Sequence, residues 1–200
     1  MSKTPVQKCI EWNEVRYAQV FNGELAINLL KEEINETLSA DDPIAVLDGI
    51  GDVFFVCIGI LWKLGFSSET IHNIMAYEYT FGNEFILSEH NFTNIEVDHF
   101  LTNYSYGVIV HIEEDALATR EQVQFLMIVF TALFSMLVLL RERGLIGEVY
   151  NILDAICDSN NTKSLPENKV DPSVKANVDK GPAFIPPTMA LKRILSKYTN

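Results

Sequence analysis

Residues 42–64 read DPIAVLDGIGDVFFVCIGILWKL, an apolar stretch that carries two aspartates in its first half. Asp42 is a preferred N-cap, and the proline after it suits the first helical position, so the pattern predicts a helix over residues 44–64. Asp48 and Asp52 are four residues apart and lie on the same face of that helix. Charge beside so apolar a run is costly without a partner, which indicates a functional role for both carboxylates.

A second acidic cluster ends twelve residues before Asp48, in residues 31–36, which read KEEINE. Its three glutamates share one side of a helix predicted over residues 24–38, because successive residues are about 100° apart. Glutamate-rich helix surfaces usually carry Lys or Arg four residues away, and here only the lysine at the start of the cluster is near. Two helices that face each other with five carboxylates would repel, and hard divalent cations with oxygen ligands would relieve that repulsion.

The composition indicates a single folded domain over residues 1–200, with 48% hydrophobic and 21% charged residues. No stretch shows sustained two-residue alternation, so we expect an all-α fold, a four-helix-type bundle with an extended C-terminal tail. Cys9, Cys57 and Cys157 form no CxxC pair, and we expect reduced thiols in a cytoplasmic protein. The apolar residues 125–140 fall short of the roughly 20 residues that a bilayer needs, so we expect a buried core helix and no membrane span.

The predicted domain consists of helices interrupted by one irregular stretch, the connection over residues 88–118. The four parts of the domain are an acidic, metal-binding helical pair over 24–87, a connection over 88–118, a degenerate helical pair over 119–158 and a basic tail over 159–200. Within this plan the helices are predicted over 12–21, 24–38, 44–64, 67–85, 119–141, 145–158 and 190–198.

The two apolar hairpins resemble each other at a spacing of 79 residues. Residues 53–75 contain KLGF at 63–66, and ERGL stands at 142–145 between two further apolar segments. On that alignment the two aspartates fall on Met127 and Thr131, so the second copy would have lost its acids. This predicts a pseudo-dimer with one active site, although any two hairpins of a helical bundle share such a plan.

Charge is unevenly distributed along the chain. Residues 1–159 hold 8 basic and 24 acidic side chains, whereas residues 160–200 hold 7 basic and 3 acidic ones. An acidic body argues against nucleic-acid binding, which requires a basic face. The basic tail either neutralises the body or supplies lysines to a site for an anionic ligand.

The two acidic segments resemble a known family. Glu-Glu-x-x-Glu at 32–36 followed by DGIGDVFFV at 48–56 is similar to the all-α nucleoside triphosphate pyrophosphohydrolases, which include MazG, the dimeric dUTPases and phosphoribosyl-ATP pyrophosphohydrolase. The Asp-x-x-x-Asp spacing is closest to the phosphoribosyl-ATP pyrophosphohydrolase-like branch. MazG more usually has Glu where this chain has Gly49, so Asp48 must substitute if five acids are needed.

The C-terminal tail resembles the same branch. Residues 158–163, DSNNTK, are similar to its Ser-Asn-x-x-Lys segment, and residues 180–187, KGPAFIPP, are similar to its Lys-Gly-Pro-aromatic segment. The resemblance covers residues 24–87 and 145–195, with an unmatched interval between them.

This resemblance implies hydrolysis of a nucleoside triphosphate to a monophosphate and pyrophosphate with Mg²⁺ or Mn²⁺. It implies two or three ions per site and a possible homodimer. Nucleotide-pool control and the supply of monophosphates to a modified-DNA pathway are both open roles, and the expected location is the cytoplasm, or the host cytoplasm if the protein is phage-encoded. Glu32 is the expected residue to orient or deprotonate water, in a role that Glu33 can exchange with it. The expected metal ligands are Glu33, Glu36, Asp48 and Asp52, and the expected substrate-binding residues are Asn160, Lys163 and Lys180. The preferred base is not readable from the sequence.

Two other functions remain open. Glu69-x-x-His72 and Glu96-x-x-His99 have the spacing found in carboxylate-bridged di-iron bundles, which predicts an oxidase as an alternative. A non-catalytic helical nucleotide-binding protein is the other. Trp12, Asn13 and Tyr17 are candidates to contact a base or sugar, and core packing is the alternative role for Trp12.

Overall fold

The computed structural model describes residues 2–76, 120–165 and 180–198, and every regular element in these ranges is helical. The absence of β-strands from these ranges confirms the all-α prediction. The predicted connection over 88–118 lies outside the described residues. The elements are α1 (Pro5–Arg16), α2 (Gly23–Ser39), α3 (Pro43–Lys63), α4 (described over residues 68–76), α5 (Arg120–Glu142), a 3₁₀ turn (Ile146–Glu148), α6 (Val149–Asn161) and α7 (Thr188–Ser196).

A local capping signal places the start of α3 close to its predicted position. The Asp42 carboxylate accepts a hydrogen bond from the backbone N–H of Ala45 at 3.3 Å, and Pro43 is the first helical residue. The short tail helix predicted over 190–198 is observed as α7.

The prediction for the first helix was wrong. It placed the helix over 12–21, whereas α1 begins at Pro5 and ends at Arg16. The start is set by a capping box, in which the Thr4 hydroxyl accepts from the Gln7 N–H at 3.2 Å and the Gln7 side chain accepts from the Thr4 N–H at 2.9 Å. The backbone turns extended at Tyr17, which ends the helix.

The prediction for α6 was also wrong, by four residues at its start. A 3₁₀ turn occupies Ile146–Glu148, and the α-helix then runs from Val149 to Asn161, beyond the predicted end at 158. The Leu145 N–H donates to the Leu140 carbonyl and closes the preceding turn, and the Leu145 carbonyl accepts from the Glu148 N–H at 2.9 Å, which is the bond of a 3₁₀ turn.

Helix α3 is the central element of the described structure. It packs against α1, α2, α5, α6 and α7, and most of its side chains are buried. Trp12 of α1 meets Phe55 of α3 edge-to-face, with ring centroids 5.1 Å apart. The three cysteines, one each on α1, α3 and α6, form no disulfide and are buried in this core.

Two glycines let neighbouring helices approach α3 closely at the level of its aspartates. A Cβ on Gly49 would collide with the Thr37 hydroxyl on α2 and lie 3.0 Å from the Thr37 Cα. A Cβ on Gly51 would collide with the Ile156 side chain on α6. The DGIGD segment therefore places α3 between two helices that touch its backbone.

The two hairpins that resemble each other in sequence have matching turns. The Phe66 N–H donates to the Leu61 carbonyl at 3.3 Å, and the Leu145 N–H donates to the Leu140 carbonyl at 2.8 Å. Donor and acceptor of the second bond each lie 79 residues after those of the first. Each turn has a glycine with positive φ, Gly65 at 92° and Gly144 at 69°, as such helix ends favour. Duplication of the hairpins stays a prediction.

Two described helices, Pro43–Lys63 and Val123–Glu142, have the length and hydropathy of a membrane span. Core helices of soluble proteins share both properties, and 72% of the most apolar part of the first is buried in this fold.

The C-terminal helix is fixed to the body by a buried carboxylate. Glu148, only 6% exposed, accepts hydrogen bonds from the Lys197 ammonium at 3.0 Å and the Tyr198 hydroxyl at 3.0 Å. Asn151 donates a further bond at 2.7 Å. Burial opposes ionisation of Glu148, but these hydrogen bonds outweigh it and hold its pKa below the ordinary value.

Gly49→Ala is expected to destabilise the protein by about 1–3 kcal/mol, since the new methyl group meets backbone that no rotamer change can move. The measurement is the free energy of unfolding in urea. Gly147→Ala is the matched control, because a Cβ there has nothing within 4 Å. A Gly49→Ala protein as stable as the wild type, through the better helix propensity of alanine, would contradict the close contact.

The Glu148 contacts predict a pH dependence. A carboxyl whose pKa is lowered on folding stabilises the fold above its unfolded pKa, here about 4.5, and loses that effect as pH falls through the folded pKa. We therefore expect Glu148→Gln to be less stable than the wild type near neutral pH, with the difference disappearing in acid. Melting temperatures measured across this range check the expectation, and a difference independent of pH would contradict it.

Candidate functional site

A cavity of about 380 Å³ opens between α1, α2, α3 and the residues that follow α6. One end is charged and the other is aromatic. The charged end is lined by Glu32, Glu33, Glu36, Asp52, Asn160, Lys163 and Lys180, and the aromatic end by Trp12, Asn13, Tyr17, Phe55, Gly59 and Lys63.

The carboxylates reach the cavity from two helices. Glu32, Glu33 and Glu36 lie on α2, and Asp52 lies on α3. Contact between Thr37 and Gly49 fixes how α2 sits on α3, so it also fixes the separation of the two acidic rows.

Asp48 stands beside this group and does not line the cavity. Burial raises its pKa, while Lys180 and Lys163 act in the opposite direction and Glu36 adds to the rise. The residue is therefore within electrostatic reach of both predicted lysines. Gly49, where the commoner motif has Glu, faces the Thr37 backbone, so a side chain there could not reach the cavity without separating α2 from α3.

Asp52 is the most strongly perturbed carboxyl of the site. Burial raises its pKa to about 8, and the neighbouring Glu33, Asp48 and Glu36 add to the rise. Lys163 opposes it without cancelling it. The charged end is thus short of positive charge.

Two lysines and one asparagine form the opposite wall. Lys163 follows the end of α6, and burial lowers its pKa, with Asp52 acting against that change. Lys180 lies with its ammonium 5.1 Å from the centre of the Phe184 ring. The Ile185 N–H donates to the Thr162 hydroxyl at 2.8 Å, which fastens the tail beside Lys163.

Helix α1 holds this wall from outside. The Trp12 indole N–H donates to the Asn160 carbonyl at 2.9 Å, and the Arg16 guanidinium donates to the Lys163 carbonyl at 3.1 Å. The Asn160 carbonyl, in the last turn of α6, also accepts from the Lys163 N–H at 3.1 Å, whereas the Lys163 carbonyl belongs to the chain just beyond the helix.

The aromatic end of the cavity also contains a few polar atoms. The Asn13 side chain donates to the Cys9 carbonyl at 2.9 Å, and a Cβ on Gly59 would lie 3.2 Å from the Asn13 Oδ1. The Lys63 ammonium lies 4.2 Å from the centre of the Tyr17 ring, and burial lowers its pKa. Asp52 and Lys63 are eleven residues apart on α3, which corresponds to about 16 Å along the helix.

Of the eight predicted site residues, seven line the cavity and Asp48 does not. The seven are Glu32, Glu33, Glu36, Asp52, Asn160, Lys163 and Lys180. Sequence reasoning missed Lys63, Gly59 and Phe55. A signal for two of them existed, because residues 52, 56, 59 and 63 follow one another at helical spacing on one face of α3.

The described ranges contain no group of three or more His, Cys, Asp or Glu side chains close enough together to hold a metal ion. The carboxylates line the cavity without meeting at one point. Of the alternative di-iron residues, Glu69 and His72 are exposed on α4, and Glu96 and His99 lie outside the described residues.

Comparison with known proteins identifies no relative. No protein-family model, curated protein or solved structure matches this chain. A functional proposal therefore has to rest on the chemistry of the cavity and on the resemblance of its motifs.

Asp52→Asn is expected to raise the melting temperature by a few degrees in a buffer with EDTA at about pH 8. Because the pKa rises from 3.8 in the unfolded chain to about 8 in the fold, ionisation of Asp52 disfavours the folded state as pH increases through this interval. Asp41→Asn, at an exposed loop position, is the control and should change little. A melting temperature of Asp52→Asn below that of the wild type would contradict the repulsion inferred here.

Proposed function

We propose that the protein is a Mg²⁺-dependent nucleoside triphosphate pyrophosphohydrolase that converts a (d)NTP to a (d)NMP and pyrophosphate. The observation that supports this most is a single cavity with carboxylates from two helices, two lysines opposite them and an aromatic end. Its extent of about 16 Å along α3 suits an elongated ligand with a charged and a flat end. A monophosphate product suits a role in nucleotide-pool control.

The donor chemistry of the charged end suits hard divalent cations. Glu33, Glu36 and Asp52 offer carboxylate oxygens, which Mg²⁺ prefers, and Asp48 stands within electrostatic reach of them. Burial and the neighbouring acids raise the pKa of Asp52, and nearby positive charge would favour its ionised form. When bound, Mg²⁺ lowers the pKa of a coordinated water and neutralises phosphate charge.

The protein's own groups have separate tasks at the phosphates. Glu32 is exposed at the rim of the cavity, where it can orient and deprotonate the attacking water. Glu33, half-buried beside it, can exchange that role. Lys163 and Lys180 offset the charge of the triphosphate, and Asn160 lines the same wall.

The aromatic end suits the nucleoside. Trp12, Tyr17 and Phe55 supply apolar ring surface, and the absence of a side chain at Gly59 lets the Asn13 amide pack close to α3 within the cavity lining. Small-molecule sites usually have mostly apolar walls with a few polar atoms among them.

A nucleotide screen tests the proposal. Each ribo- and deoxynucleoside triphosphate is incubated with the protein and Mg²⁺ or Mn²⁺, and pyrophosphate release is measured. Release of pyrophosphate with a monophosphate supports the proposal. A nucleotide-dependent rise in melting temperature without release indicates a non-catalytic nucleotide-binding protein, and stoichiometric iron in the purified protein indicates the di-iron oxidase.

Glu36→Gln is expected to lower pyrophosphate release by at least about a hundredfold, because it removes a proposed cation ligand while keeping the shape of the side chain. Circular dichroism should show an unchanged helical signal. Glu24→Gln is the matched control, since Glu24 is an exposed glutamate of the same helix and does not line the cavity. Equal loss in both variants, or in neither, would contradict the site assignment.

A further inference from the structure

Two side chains of α1, one turn apart, hold the C-terminal end of α6. Trp12 bonds the carbonyl of Asn160, and Arg16 bonds the carbonyl of Lys163. The Arg16 guanidinium also lies over the Trp12 ring, 4.4 Å from its centre, so the two side chains support each other. Both bonds join residues more than 140 positions apart in the chain, since the separations are 148 and 147.

Arg16 is an uncommon residue to bury. It is 2% exposed, its Nε has no hydrogen-bond partner among the described residues, and no carboxylate within those ranges forms an ion pair with it. A guanidinium buried in this way carries a desolvation cost that an ion pair would otherwise offset. The two terminal nitrogens of the guanidinium donate to backbone carbonyls, one to Trp12 and the other to Lys163.

The Lys163 carbonyl is therefore the contact that sets Arg16 apart from an ordinary packing residue. Lys163 lies two residues beyond Asn161, the last residue of α6, and a cation near a helix C-terminus is favourable. Holding the Lys163 backbone restricts where its ammonium can lie. That ammonium belongs to the charged end of the cavity, because Lys163 and Asp52 line it together.

We infer that Arg16 is a positioning residue, which acts on the triphosphate through Lys163 and has no contact with the ligand itself. The inference rests on the proposed function. Arg16 does not line the cavity, whereas Trp12 does. A substitution of Arg16 therefore tests positioning alone, while a substitution of Trp12 would also change the cavity wall. A guanidinium suits this role because its planar fork can bond two carbonyls at once.

Arg16→Met tests the inference in the full-length protein, with the best nucleotide and Mg²⁺. Methionine keeps much of the volume and removes the donors, and we expect kcat/KM to fall about tenfold, as for loss of a hydrogen bond to a charged group. Arg143→Met is the matched control, because Arg143 also donates to a carbonyl near a helix end, that of Leu139 at 2.9 Å, outside the cavity. An unchanged kcat/KM in a folded Arg16→Met protein would overturn the inference.

A double-mutant cycle with Lys163→Met distinguishes positioning from general stabilisation. If Arg16 acts through Lys163, Arg16→Met should lower kcat/KM less than about twofold once Lys163 is already methionine. Independent losses that multiply, or no loss in Lys163→Met alone, would overturn the inference. Should Arg16→Met fail to fold, Arg16→Lys takes its place in the cycle. Absence of turnover in the wild type contradicts the proposed function instead, which keeps the two failures apart.

Discussion

The close contact of α3 with α2 and α6 is the constraint on which the rest of the structure depends. Gly49 meets the Thr37 backbone on one side, and Gly51 meets Ile156 on the other. Side chains at these two positions would separate the three helices, because protein interiors are packed too densely to absorb an extra methyl group. The acids of α2, the acid of α3 and the lysine that follows α6 share one cavity because those helices touch.

The charged end of the cavity contains groups whose burial opposes their charged forms. Asp52 has its pKa raised to about 8 by burial and by neighbouring acids, and burial lowers the pKa of Lys163 across the cavity. Functional sites commonly keep groups that destabilise the ligand-free fold. The basic tail reaches this site because Glu148 fastens Lys197 and Tyr198, and Thr162 bonds Ile185.

Local sequence signals predicted where helices lie better than they predicted which contacts those helices make. Asp42 and Pro43 gave the start of α3, because a cap and a fixed φ act within one turn. The capping box of Thr4 and Gln7 precedes the apolar pattern of the first helix, so that pattern does not reveal where α1 begins. Arg16 lies within both the predicted and the observed helix, but its contact with a residue 147 positions away has no local trace in the sequence.

The sequence by itself determined an all-α chain, the helix that carries Asp52 and the face of α2 that carries its glutamates, because helical periodicity is a local property. Only the tertiary structure decided that Asp48 stands outside the cavity, that Lys63 belongs to its aromatic end and that α1 holds Lys163. Those outcomes depend on which helices touch and at what level. Packing between segments distant in the chain decides which helices touch. Here it depends on two glycines, whose missing side chains leave little trace in a hydropathy pattern.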